Sequence, residues 1–391
     1  MVSINFEEKV MLQFPIYLDN CATTPMDESV LDSMLPFFTK YFGNAASHSH
    51  AYGWQAEEAV KQAREQVAEL IGATENEIVF TSGATESDNL ALKGIFESHK
   101  TKGNHIITVK TEHKAVLDSC AHLEKNGAEV TYLPVNRNGL IDLDELENSI
   151  KSTTILIAVM YANNETGVIQ PIKEISRIAH KNQILFFTDA TQAIGKIPIK
   201  IIEDDIDLMA FSAHKMYGPK GAGALFVRRK NPRVKLIAQI DGGGHERGMR
   251  SGTLNVPAIV GFGKSAQLCQ TEMEDDAANT RRLRNKLEQE LLKTKRVFIN
   301  GDLKHRLPNV SNMSFANKNA VQLISTLSKD IALSSGSACT SGSHEPSFVL
   351  KAMDLTDQEA YSTLRFGLGR FTTEEEIDYT IRQFVQLLQE D

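Results

Sequence analysis

The sequence predicts an α/β fold in which a large domain, built on a mainly parallel sheet covered by helices, is joined to a smaller α+β domain. Three observations carry this. Between about residues 75 and 230, short apolar runs alternate with helical patterns. The runs are apolar throughout rather than on every second residue, as expected of strands covered on both faces. After about residue 260 the alternation gives way to a long charged helix, then to short mixed elements. A chain of 391 residues has length for two or three domains. We place the division so that residues 16–262 form the large domain and residues 1–15 and 263–391 the small one.

In order along the chain, EIVFTS (77–82) reads as a strand, 84–100 as a helix and HIITVK (105–110) as the next strand. A helix over 113–126 leads to the strand AEVTYLPV (128–135) and an acidic helix near 142–150. TILIAVMYA (154–162) is the most apolar strand, and a helix at 172–181 separates it from ILFFTDA (184–190). DLMAFSAH (207–214) and GALFVRR (223–229) complete the set. Beyond them come a charged helix (264–294), the strands VFIN and NVSNMSFA, and a helix near 319–328. The Gly/Ser-rich stretch SSGSACTSGSHEP (334–346), the strand STLRFGLG (362–369) and an amphipathic terminal helix finish the chain.

Composition narrows the function classes. Apolar residues make up 41% and charged residues 24%, as in a globular protein. The net charge of −8 disfavours direct nucleic-acid binding and attachment to an anionic membrane. No apolar run approaches the length of a spanning helix. The amino-terminal MVSINFEEKVMLQF lacks the basic start and apolar core of a secretory signal. Cysteines 21, 120, 269 and 339 are scattered without CxxC spacing, which suits a reduced, cytoplasmic protein.

Ligands of open α/β sheets bind beyond the carboxyl ends of the strands, so the residues after each strand are the ones that matter. Lys215, in AFSAHKMYGPKGAGA (210–224), stands after one strand with Ser212 and His214. Among small residues it could form an imine with a carbonyl, although a solvated loop lysine would look the same. Asp189 in FFTDATQ ends another strand, three residues before Gln192. It reads either as a helix N-cap or as the anion partner of a pyridinium N–H. In TSGATESDN (81–89), Gly83, Ala84 and Thr85 open a helix whose N–H groups could receive a phosphate. Neither a dinucleotide nor a nucleotide-triphosphate motif is present, so the phosphate would belong to a small cofactor. His113, after HIITVK, could stack on a flat ring, and Asn163 and Asn164 in YANNETG offer amide donors. Each of these signals is modest alone; together they lie at strand ends of one sheet.

With those residues in view, the chain resembles the cysteine desulfurases of the NifS/IscS type, within the class V aminotransferases and the fold-type I pyridoxal-phosphate enzymes. The motifs are FGNAASHSH, FTSGATESDN, TEHKAVLD, NNETGV, DATQ, SAHKMYGPKG, GGGHERGMRSGT and SSGSACTSGS, and they span nearly the whole chain. The resemblance implies that Lys215 carries the imine to pyridoxal 5'-phosphate, that Asp189 pairs with its ring nitrogen and that His113 stacks on the ring. It implies phosphate binding by Ala84, Thr85, Ser212 and His214, and contact of Gln192 with the ring hydroxyl. Asn164 would bind cofactor or substrate, with Arg365 and Asn44 receiving the substrate carboxylate. Thr253 in GMRSGT would reach the phosphate of a neighbouring subunit, so a homodimer is implied.

Cys339 sets the reaction. A thiol on a Gly/Ser loop can approach an active site and leave it again. Attack requires the thiolate. The implied reaction removes sulfur from L-cysteine, leaving L-alanine and a persulfide on Cys339. That sulfur would pass to an acceptor protein, an iron–sulfur scaffold or a tRNA-thiolation relay. Lys215, Cys339 and His113 are the catalytic candidates. No metal site is expected, beyond Cys339 as a transient iron–sulfur ligand. Alternatives are a selenocysteine lyase or another class V pyridoxal-phosphate enzyme and, from a different class, a metal carrier using His48, His50 and Cys339. The HSH triplet has no further ligand at zinc-site spacing.

Overall fold

The computed structural model describes residues 12–335 and 345–389. Twelve strands are found among them: β1 (Ile16–Tyr17), β2 (Ile78–Thr81), β3 (His105–Val109), β4 (Glu129–Leu133), β5 (Thr154–Ala158), β6 (Leu185–Asp189), β7 (Leu208–Ser212), β8 (Gly223–Val227), β9 (Val297–Ile299), β10 (Val310–Phe315), β11 (Ile331–Ala332) and β12 (Thr363–Gly367). Seven form the central sheet, in the order β2-β8-β7-β6-β5-β3-β4. Strands β3 to β7 pair in parallel, while β8 runs antiparallel to both β7 and β2. The reversal of β8 follows from its connection: residues 213–222 are fewer than the dozen or so a parallel crossover needs.

Burial explains the uniformly apolar strands. All five residues of β3, β5, β7 and β8 are buried. Alternate residues feed two cores: Ile107, Ile157, Phe186 and Met209 on one face, and Ile106, Leu156, Phe187 and Leu208 on the other. The first face is covered partly by helix Ala51–Ile71, which the strand–helix alternation does not foretell because it precedes the first sheet strand. Its sequence signal is the 3.6-residue spacing of Ala56, Val60, Ala63 and Val67, closed by Gly72 at φ 71°. The structure also trims the strand predicted at 154–162 to Thr154–Ala158; beyond it Val159 and Tyr161 still donate to the Phe187 and Asp189 carbonyls, while Met160 and Ala162 line the cleft.

A third core joins Leu283, Leu287 and Leu291 of helix Val256–Leu292 to Met313, Phe315, Phe366 and Phe384. Phe384 lies 5.2 Å from Phe315 and 5.4 Å from Phe366, ring centre to ring centre. Ile16 and Leu18 pack into this core as well. The three-stranded antiparallel sheet β12-β10-β9 and the parallel pair β1-β11 support it. The long helix begins at Val256, before the predicted start at 264, because Asn255 caps it by accepting the Ala258 N–H. No helix among the described residues is long and apolar enough to cross a membrane.

At the amino end of the sheet, His180 bridges two acids. Its Nδ1 lies 2.7 Å from Asp205 and its Nε2 2.8 Å from the fully buried Asp207. The Asp207 hydrogen bond leads the causes that raise the histidine above its ordinary 6.5. A raised folded value means that the stabilisation is complete below pH 6.5 and lost as pH rises through the higher folded value. Thermal melts of wild type and His180→Asn should therefore differ most near pH 6 and converge at alkaline pH; a gap that widens with pH would contradict the assignment.

Candidate active site

The carboxyl ends of five sheet strands open into one cleft of about 480 Å³. After β2 come Ser82 to Thr85; after β3, His113; after β5, Met160, Ala162 and Asn164. Asp189 ends β6, Ser212 ends β7, and His214 and Lys215 follow it. Cys21, Ala22 and Arg365 also line the cleft. Ten of the residues singled out in the sequence thus meet in one place: Ala84, Thr85, His113, Asn164, Asp189, Gln192, Ser212, His214, Lys215 and Arg365.

Each side chain has a local reason for its position. Helix Ala84–Ser98 starts at Gly83, which has no side chain to cap it, so its first-turn N–H groups remain available at the cleft. Gly223 of β8 lies against that turn: a Cβ there would fall 2.5 Å from the Gly83 Cα, so only glycine permits the approach. His214 sits 3.1 Å from the Thr23 hydroxyl. Burial, and then the charges of Lys215 and Lys220, lower its pKa to about 4, so at neutral pH the ring is an uncharged hydrogen-bonding group.

Asp189 Oδ1 accepts the Thr191 N–H at 2.9 Å. A turn rather than a helix follows it, so the helix N-cap reading falls. His113 caps helix Lys114–Glu124, with Nδ1 accepting from the Ala115 N–H at 3.1 Å. Lys215 Nζ donates to the Cys21 and Ala22 carbonyls at 2.6 Å each. Gln192 Nε2 reaches the same Cys21 carbonyl at 3.0 Å. Arg365, 2% exposed, donates to the Asn164 carbonyl at 2.9 Å and to Asp19 at 2.8 Å, while its Nε has no hydrogen-bond partner.

Two predicted residues do not line the cleft. Asn44 is exposed and turns its Oδ1 to the Ala46 N–H. Thr253 is also exposed, on the loop after GGGHERGMRSG. Cys339 lies outside the described residues.

That loop is anchored by a buried pair. Glu246 takes two 2.6 Å hydrogen bonds from Arg64 and one of 2.7 Å from the Phe80 N–H, with its side chain 1% exposed. Removing one partner leaves a buried charge unpaired. Glu246→Ala should cost about 3–5 kcal/mol in denaturant unfolding; a loss below about 1 kcal/mol would show that the pair is dispensable.

Sequence reasoning missed two parts of the site. The Cys21 and Ala22 carbonyls that hold Lys215 carry no signal, since every residue has a carbonyl. Glu86 lines the cleft, accepts the Ser82 N–H at 2.8 Å and pairs with Arg250 at 2.7 Å. Its place in the first turn of a helix was the available clue.

The residues suit pyridoxal 5'-phosphate. An open helix start with space beside Gly83 fits a phosphate, an acid in the same cleft fits a ring nitrogen, and a lysine there fits an aldehyde. The unpartnered Arg365 Nε fits a carboxylate donor set.

Comparisons with known proteins agree. The aminotransferase class-V family model matches residues 16–380. The chain is 56% identical over 377 residues to the cysteine desulfurase IscS of Anaeromyxobacter dehalogenans, covering 95% of this chain and 92% of the relative. A solved NifS-like protein superposes with a TM-score of 0.89 at 38% identity, covering 96% of this chain and 99% of the other. A structure described as SspA in complex with cysteine superposes with a TM-score of 0.81 at 37% identity, covering 92% and 100%. With a family model spanning nearly all of it and a relative this similar along its length, the chain belongs to the class-V aminotransferases, in the branch of the cysteine desulfurases.

Proposed function

We infer that this protein is a pyridoxal-phosphate-dependent cysteine desulfurase, which removes sulfur from L-cysteine to give L-alanine and a persulfide on Cys339. The observation that carries the reading is the shared cleft of Lys215, Asp189, His113, the open helix start at Ala84 and Arg365. The relatives' names support cysteine as substrate and do not favour the selenocysteine lyase alternative.

Pyridoxal phosphate, when bound, supplies an aldehyde carbon for an amine and a ring that accepts charge developing at the substrate Cα. The chain's own residues do the rest. Ala84 and Thr85 N–H groups, with Ser212 and the neutral His214, bind the phosphate. Asp189 would accept the ring N–H, Gln192 would meet the ring hydroxyl and His113 would stack on the ring. Arg365 would bind the substrate carboxylate beside Asn164. Lys215 Nζ holds the cofactor and, once displaced, takes the proton from Cα and returns one later, with His113 as a second acid–base group. The Cys339 thiolate attacks the substrate sulfur. The carbon–sulfur bond breaks, its electron pair goes to the β-carbon, and protonation there gives alanine.

The finer readings belong to the same proposal. A homodimer in which Thr253 serves the neighbouring phosphate is supported by the exposed, glycine-rich setting of that residue and by the exposed rings of Phe42, Tyr52 and Trp54. Division at 262/263 falls inside helix Val256–Leu292, and the separate core around Phe315 supports two lobes. Three buried free thiols, Cys21, Cys120 and Cys269, support a reducing, cytoplasmic setting. An acceptor protein for iron–sulfur assembly or tRNA thiolation would receive the persulfide.

The test is incubation with L-cysteine, followed by mass analysis of the Cys339 peptide. One added sulfur, with matching alanine, is expected; alanine without sulfur on that peptide would overturn the reading.

A further inference from the structure

Behind the cleft stands an acid with no evident partner. Asp88, in helix Ala84–Ser98, is fully buried, and neither of its carboxyl oxygens has a hydrogen-bond partner. It does not line the cleft, but the two residues nearest to it in chemistry do. One polar atom each of Asp88, His113 and Asp189 lies within 4.8 Å of the others. Glu112, adjacent to His113, is also buried and accepts the Met160 N–H at 2.5 Å. The groups facing Asp88 are thus Asp189 from β6 and Glu112 and His113 from the turn after β3.

Two buried carboxylates this close do not both ionise. Asp189 takes the Thr191 N–H and faces the cleft, where a ring N–H would meet it. Asp88 has no donor to stabilise an anion, and burial, then Asp189 and Glu112, push its pKa far up. A neutral carboxyl is a hydrogen-bond donor that needs an acceptor, and the Asp189 carboxylate is the anion within reach. Their oxygens lie within 4.8 Å of each other, a span that a direct hydrogen bond or one bridging water covers. The Thr108 hydroxyl, also buried without a partner and on the sheet face of Ile106, adds a polar site in the same layer.

We propose that Asp88 is a positioning residue for the cofactor's ring nitrogen: its protonated carboxyl donates to Asp189, directly or through one water, and fixes that anion in the cleft. The proposal rests on the cofactor reading above. Such a donor holds the Asp189 carboxylate where a ring N–H would meet it, the contact that strengthens the electron sink. Ala84 and Asp88 lie four residues apart on one helix face. A single element therefore presents N–H groups at the cleft and a carboxyl to Asp189.

Two variants of the holoenzyme test this. Asp88→Asn keeps a donor and cannot ionise; its cofactor band near about 400 nm should hold its pH midpoint, with cofactor affinity within about threefold of wild type. Asp88→Leu has similar bulk and no donor. It should bind cofactor at least about tenfold more weakly and shift the midpoint by about one pH unit, because the Asp189 carboxylate loses its donor. Asp88→Leu with the wild-type band and affinity would overturn the proposal. So would an Asn variant as impaired as the Leu variant, since that would mean a charge is required; this arm decides alone should the Leu variant fail to fold. Loss of the band on dialysis against EDTA would assign the three groups to a cation instead. Wild type without any visible band would sink the cofactor reading and not this inference alone.

Discussion

Lys215→Ala is expected to lose the borohydride-reducible link to the cofactor and to form alanine from L-cysteine at least roughly a thousandfold more slowly. The expectation follows from position. Lys215 follows β7 and lines the cleft, and its Nζ donates to two backbone carbonyls of the turn that carries Cys21. The amine must be released from them before it can bond to carbon. Lys220 also lines the cleft, which makes the experiment discriminating. Borohydride reduction followed by peptide mass analysis should find the added mass on Lys215. Its appearance on Lys220, or its persistence in the alanine variant, would mean the wrong lysine was chosen.

Cys339→Ser is expected to behave differently. The cofactor band should remain, because every residue assigned to cofactor binding lies elsewhere in the chain, while persulfide formation and sulfide release under a reductant should disappear. A serine hydroxyl is far less ionised than a thiol at neutral pH and does not form the sulfur–sulfur bond on which transfer depends. Spectra with and without L-cysteine, together with a sulfide assay, separate the two steps. Normal sulfide release in the serine variant would remove Cys339 from the reaction. Loss of the band would instead make it part of the cofactor site.

The two expectations rest on different kinds of information. Lys215 was legible because a strand-ending run, AFSAHK, puts it where parallel sheets bind ligands, and the structure places it there. Asp189, His113 and the Gly83–Thr85 turn were legible for the same reason: each follows a strand whose apolar run marks its end clearly. Cys339 was legible from its Gly/Ser surroundings and from resemblance, and it lies outside the described residues.

Other features left no such mark. Nothing in GALFVRR announces that β8 runs against its neighbours; only the short connection from β7 requires it. Asn44 and Thr253 were matched by motif, yet both are exposed and neither lines the cleft, because a motif position carries no distance to the site. Asp88 read as one more polar residue in a helix. Its burial, its lack of partners and its approach to Asp189 are produced by helix Ala84–Ser98 packing down on the sheet.

From residue order alone came the strand–helix alternation, the strand ends and hence the chemical groups that gather around a phosphate-bearing aldehyde, since periodicity and short-range turn chemistry are local properties. What needed the folded chain were contacts between distant segments: Cys21 against Lys215, Arg365 against Asn164 and Asp19, Glu246 against Arg64, and Asp88 behind Asp189. Burial and electrostatic coupling depend on which surfaces meet in space, and sequence spacing carries no distance across such meetings.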